Sequence, residues 1–181
     1  MASSEVAGVV AKSNWNSANG ASSSAPLALF DETGTPTNVE VSWNSDNVWE
    51  QNITDTPGNA RMMKGYLDNG NSDTTTVTVT GLPSDPNGFK IYVYADGAIS
   101  SGSDTGIYQV SGPGITTSSV TLTYKSNFTG TFTQATASSP VGNYLVLTIP
   151  NVSGFTLSAI PNTSTSGFNR AAVNGMQIVP Q

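Results

Sequence analysis

Three tryptophans hold most of the chemistry this chain has to offer. Trp15 sits in Asn14-Trp15-Asn16, within a stretch rich in Ser, Asn and Gly. Trp49 sits in Asp46-Asn-Val-Trp49-Glu-Gln-Asn52. Indole rings bordered by side-chain amides suit stacking on the apolar face of a sugar ring, with the amides reaching its hydroxyls. The other use of such a ring is to plug one end of a folded domain, and both uses stay open. Trp43 shares a strand face with Val39 and Val41 and reads as core. Tyr66, in Arg61-Met-Met-Lys-Gly-Tyr66, is placed to flank a cleft. Asn59 and Arg61 lie nearby to fix hydroxyl register. An arginine can also grip a carboxylate, so Arg61 and Arg170 have a structural alternative in Asp55 or Asp68. Tyr92 and Tyr94 alternate with Ile91 and Val93, and their face reads as a second buried face under a loop rather than a platform.

Other chemistries are absent. There is no His and no Cys, which removes Ser-His-Asp and Cys-His nucleophilic machinery and the usual zinc ligands. No glycine-rich phosphate loop is present. A paired-carboxylate hydrolase stays formally open. However, Glu40 reads as a solvated strand residue and the Asp residues lie mostly in turns, so no enzyme is expected. Calcium takes about six to eight oxygen ligands. Asp96 and Asp104, which bracket the loop Asp96-Gly-Ala-Ile-Ser-Ser-Gly-Ser-Asp104, are the candidate metal ligands, with Asp31, Glu32 and Glu5 behind them.

The elements that must position these residues are strands. The 181 residues are only 10% charged, with net charge −6, against roughly 25% charged in a typical domain. Six scattered Lys and Arg exclude a nucleic-acid surface. No run approaches the roughly 20 apolar residues of a membrane-spanning helix. Alternation of period two recurs at Val39–Trp43, Thr76–Thr80, Phe89–Tyr94, Val120–Tyr124, Leu145–Ile149 and Phe155–Ala159. Val6–Ala11, Leu27–Phe30 and Val173–Val179 add further apolar runs. Such alternation marks antiparallel sheets with one face buried. Turn signals separate the runs, among them Asp31–Gly34, Asp68–Asn71, Pro83–Gly88 and Ser111–Gly114. No helix is expected, because no stretch keeps a 3.6-residue apolar period free of Gly or Pro. Three long loops are expected, at Ser13–Pro26, Asn44–Asn59 and Ala95–Gly106. The pattern predicts one all-β domain over 1–181, a two-sheet antiparallel β-sandwich of jelly-roll type with about ten strands. Residues 1–5 read as a start or linker ahead of it.

Thr75-Thr-Val-Thr-Val-Thr-Gly-Leu-Pro83 followed by Phe89-Lys-Ile-Tyr-Val-Tyr-Ala-Asp-Gly97 resembles the central hairpin of galactose-binding-like jelly rolls, which include many carbohydrate-binding modules. Asp55–Tyr66 and Arg170–Val179 are similar to a domain of large exported proteins of environmental bacteria, some with glycoside hydrolase units. The likeness spans about Val9 to Val179, and its motifs are structural. It implies a non-catalytic accessory role in polysaccharide binding. Calcium in such modules often lies near the termini, where this chain offers Asn174 in place of a better Asp ligand. The expectation is therefore a secreted or cell-surface, monomeric module for a β-glucan, xylan or mannan, joined to a catalytic domain in its parent chain. It would bind through Trp15, Trp49, Tyr66, Asn59 and Arg61, with structural calcium at Asp96 and Asp104. The alternative is a structural or adhesive domain of a cell-surface protein with no sugar ligand.

Overall fold

The structure, a computed structural model, describes residues 1–70, 73–99, 102–164 and 169–181. Asn71 of the expected turn and Ser100 and Ser101 of the expected loop lie outside the described residues.

The described residues form eleven strands and one short helix. They are β1 (Leu27–Phe30), β2 (Pro36–Asn44), β3 (Asn47–Glu50), α1 (Asn59–Lys64), β4 (Gly65–Asp68), β5 (Thr75–Thr80), β6 (Phe89–Tyr94), β7 (Asp104–Ser111), β8 (Ser118–Tyr124), β9 (Tyr144–Ile149), β10 (Gly154–Pro161) and β11 (Gly175–Pro180). Six strands form one sheet in the order β1-β2-β5-β10-β7-β8, three form a second in the order β11-β6-β9, and β3 and β4 form a two-stranded ribbon. Every strand pair is antiparallel. The protein is an all-β sandwich, as the alternating pattern requires.

Period-two alternation builds the core. Phe89, Ile91 and Val93 of β6 and Leu145, Leu147 and Ile149 of β9 point to the six-stranded sheet. They meet Val77, Val79, Tyr108, Val110, Leu122, Phe155 and Leu157 in one continuous cluster. Each such side chain, fully buried, contributes about 1.5–3 kcal/mol. The other face of the three-stranded sheet is also covered. Tyr94, Tyr92 and Tyr144 join Ala7, Met62, Met63, Phe128, Phe132 and Trp15 in a second cluster. Tyr94 has no exposed surface, so this face is a buried one and not an open platform.

Four local expectations are corrected. The resemblance placed Thr75–Thr80 and Phe89–Tyr94 in one hairpin, but β5 pairs with β2 and β10 while β6 pairs with β9 and β11. The connection therefore crosses from one sheet to the other. It turns at Gly81, whose φ is +74° and where a Cβ would lie 2.0 Å from the Asn38 carbonyl oxygen, so no other residue fits. Helix α1 exists, held by the burial of Met62 and Met63, although its six residues are too few to show a helical period. Val6–Ala11 is not a strand but a tight turn closed by the Ala7–Lys12 bridge. The Asn44–Asn59 stretch contains β3, and the Ala95–Gly106 stretch gives way to β7 at Asp104.

Candidate functional site

Trp49 is the most exposed large apolar side chain among the described residues, at 59%, with Val48 beside it at 42%. All four residues of β3 face solvent. The ribbon is nonetheless firmly held. Its β4 strand bridges Leu67 to Val173 in both directions, the Leu67 amide donating to Val173 at 2.9 Å. At the end of β3, the fully buried Gln51 donates from Nε2 to the carbonyls of Met63 and Asp96, both at 2.9 Å, and accepts from the Phe128 amide at 2.7 Å. Asn174 adds a bond to Met63 O at 2.7 Å and accepts from the Asp96 amide at 2.7 Å. These bonds tie the ribbon, α1, β6 and the segment before β11 together, so the indole of Trp49 is a ring in water on a rigid support.

Tyr66, directly across the ladder from Trp49, is 6% exposed. Its hydroxyl accepts from the Ala98 amide at 3.1 Å, and burial pushes its phenol above the ordinary value. The ring is core and does not reach a ligand from this position.

Trp15 is half-buried. Its Nε1 donates to the Lys12 carbonyl at 2.9 Å, and its ring meets Tyr94 edge-on at 6.1 Å. Tyr94 in turn packs on Phe132 at 5.2 Å and accepts from the Val9 amide at 2.6 Å. Trp15 nevertheless lines an open depression of about 300 Å³, together with Met1, Ser3, Asn14, Asn16, Phe30 and Gly34. Trp49 is not part of it. Phe30 escaped the sequence reading as a contact residue. Its signal was there, because alternation within β1 puts Ala28 and Phe30 outward, and an outward Phe at a strand end has no core to serve.

Asn59 and Arg61 are engaged within the protein. Asn59 Oδ1 accepts from the Gly8 amide at 2.9 Å. Arg61 pairs with Glu5 through Nη1 and with Asp55 through Nε, the latter at 2.8 Å. These bonds fasten the N-terminal segment to α1. Arg170 likewise pairs with Asp68, which is 4% exposed.

Asp96 and Asp104 are buried, at 1% and 5% exposure. Burial pushes the Asp96 carboxyl up to about 8. It pushes Asp104 up to about 6, against the opposing pull of Arg170 and of the Tyr124 hydroxyl. Among the described residues Asp96 Oδ1 has no hydrogen-bond partner. Among the described residues no group of three Asp, Glu, His or Cys side chains converges to hold a metal ion. Burial makes both carboxyls harder to ionise than an exposed aspartate.

No helix among the described residues is long and apolar enough to cross a membrane. No family model matches the chain, and neither the curated proteins nor the solved structures contain a significant match.

Proposed function

We propose that the protein is a non-catalytic module that binds a plant polysaccharide of the β-glucan, xylan or mannan type. The observation that supports this is Trp49, a rigidly supported indole left 59% exposed. Exposing so large an apolar ring forgoes about 1.5–3 kcal/mol of burial, which a stacking ligand would recover. The chain as a whole is sparsely charged, with charged residues only 10% of it, and Glu50 beside Trp49 is paired with Lys64. That suits a neutral polyol, and binding would be nearly independent of salt. Trp49 is the platform, while Tyr66 anchors the facing strand β4 through Ala98, and Asn59 and Arg61 tie the helix that precedes β4 to the N-terminal segment. Outside the cell, as a monomer, such a module would hold a parent chain carrying a catalytic unit on its insoluble substrate.

Electrophoresis of the purified protein through gels containing β-glucan, xylan or glucomannan tests the reading. Retardation in one of them is expected. Unaltered mobility of the folded protein in all three would favour the second reading, a structural or adhesive domain. The packing of Trp15 against Tyr94 supports that second reading.

A further inference from the structure

We infer that the depression between Asn14–Asn16 and the end of β1 is a second, separate contact site, taking one or two rings of a neutral sugar. The inference rests on the carbohydrate-binding reading for its ligand class, and on geometry for its place. Phe30 is 51% exposed at the end of the edge strand β1. The Trp15 indole lies across the depression from it, already fixed by Lys12 and Tyr94.

The polar wall is also fixed in advance. Asn16 grips the backbone of Phe30 twice, accepting from its amide at 3.0 Å and donating to its carbonyl at 2.8 Å. Only one hydrogen of the Asn16 Nδ2 is used in this way, so the second is available. Asn14 sits at φ +56°, a left-handed conformation uncommon outside glycine. Its amide nitrogen donates to the Glu32 carbonyl at 2.8 Å, and its backbone amide to Ser3 O at 2.9 Å. Asn14 Oδ1 takes no hydrogen bond from the described residues. A Cβ on Gly34 would lie 3.5 Å from it, so the missing side chain at Gly34 keeps that acceptor open.

Chemistry and size narrow the occupant. The charged side chains nearby, Lys12 and Glu32, pair with each other at 3.4 Å, and the Met1 ammonium at the wall donates to Ser17 Oγ at 3.2 Å, so no cluster of cationic side chains offers a phosphate clamp. Two aromatic side chains with one free amide donor and one free acceptor match a pyranose ring, which is apolar on its faces and hydroxylated at its edge. A volume of about 300 Å³ is at the small end of ligand pockets. It holds a chain end or a branch, not an extended backbone. Rings already ordered in the free protein lose little entropy on binding.

The test is amide and indole NMR on the ¹⁵N-labelled protein, titrated with cellotetraose, xylotetraose and mannotetraose. One sugar should shift the Trp15 indole signal and the side-chain amides of Asn14 and Asn16. Those shifts should persist in Trp49→Ala. In Phe30→Ala, whose ring is outside the core, affinity read at the same signals should fall at least about tenfold, the loss of one stacking contact. Shifts confined to Trp49 and its strand would overturn the second site and leave the module reading standing. Shifts at the depression with undiminished affinity in Phe30→Ala would also overturn it. No shift anywhere would contradict both.

Discussion

Trp49 and Tyr66 face each other across the β3–β4 ladder, yet Trp49 is 59% exposed and Tyr66 only 6%. One aromatic anchors the ribbon and its partner is left in water. Replacing them should therefore have opposite consequences. Trp49→Ala should change stability by no more than about 0.5 kcal/mol, as an exposed substitution does. Tyr66→Phe should cost about 1 kcal/mol, because the Ala98 amide loses its acceptor. Urea denaturation of the two variants measures this. A larger loss in Trp49→Ala than in Tyr66→Phe would mean that Trp49 is a structural residue.

Asp68 is buried at 4% exposure, and its Oδ1 has no partner among the described residues. Its charge is compensated by Arg170. Arg170→Met keeps the aliphatic stem and removes the cation. It should destabilise the fold by about 3 kcal/mol, the cost of leaving a buried charge unpaired. Double replacement with Asp68→Asn should recover part of that loss. Equal stability of Arg170→Met and the wild type would show that the pair is solvated.

Acid should stabilise this protein over the range in which many proteins begin to weaken. Burial raises the folded values of Asp96 and Asp104 to about 8 and about 6. Between the ordinary carboxyl value and these, the folded state holds protons that the unfolded state has released. Stability then falls as pH rises, by up to about 1.4 kcal/mol per pH unit for one such group. The loss from Asp104 is complete near pH 6, and that from Asp96 near pH 8. The melting temperature should be higher at pH 5 than at pH 8, and Asp96→Asn should flatten the slope above pH 6. A melting temperature that rises with pH across this window would show that Asp96 is ionised in the fold.

Gln51 has no exposed surface and joins three segments through Met63, Asp96 and Phe128. Gln51→Leu is close in volume but leaves the Phe128 amide and the Asp96 carbonyl without these partners, while Met63 O keeps Asn174. At about 1 kcal/mol or more for each, the expected loss is roughly 2 kcal/mol. At about 2–4 °C per kcal/mol for a chain of this size, the melting temperature should drop by about 4–8 °C. Calorimetry would show it, and a shift under about 2 °C would mean the junction is held by packing alone.

The strands with strict alternation were legible in the sequence because each buries every second residue. Strand β7 was not, although it lies inside the six-stranded sheet. Its buried residues include Asp104, Thr105 and Gly106, which mimic a loop. Strand β3 buries nothing and so leaves no periodic trace. The two candidate tryptophans looked alike, each bordered by Asn. What separates them is Tyr94, which covers one side of Trp15 from 79 positions away in the chain. Arg61 was legible as one end of a salt bridge to Asp55, but its second partner, Glu5, comes from another segment. Long-range partners of this kind are set by topology, which local pattern does not encode.

The most direct test of the proposed function is gel mobility of the wild type and Trp49→Ala in the polysaccharide that retards the wild type most. Retardation of the wild type, with loss of most of it in a Trp49→Ala protein of unchanged urea midpoint, is the result we expect. Equal retardation of both proteins would contradict Trp49 as the platform.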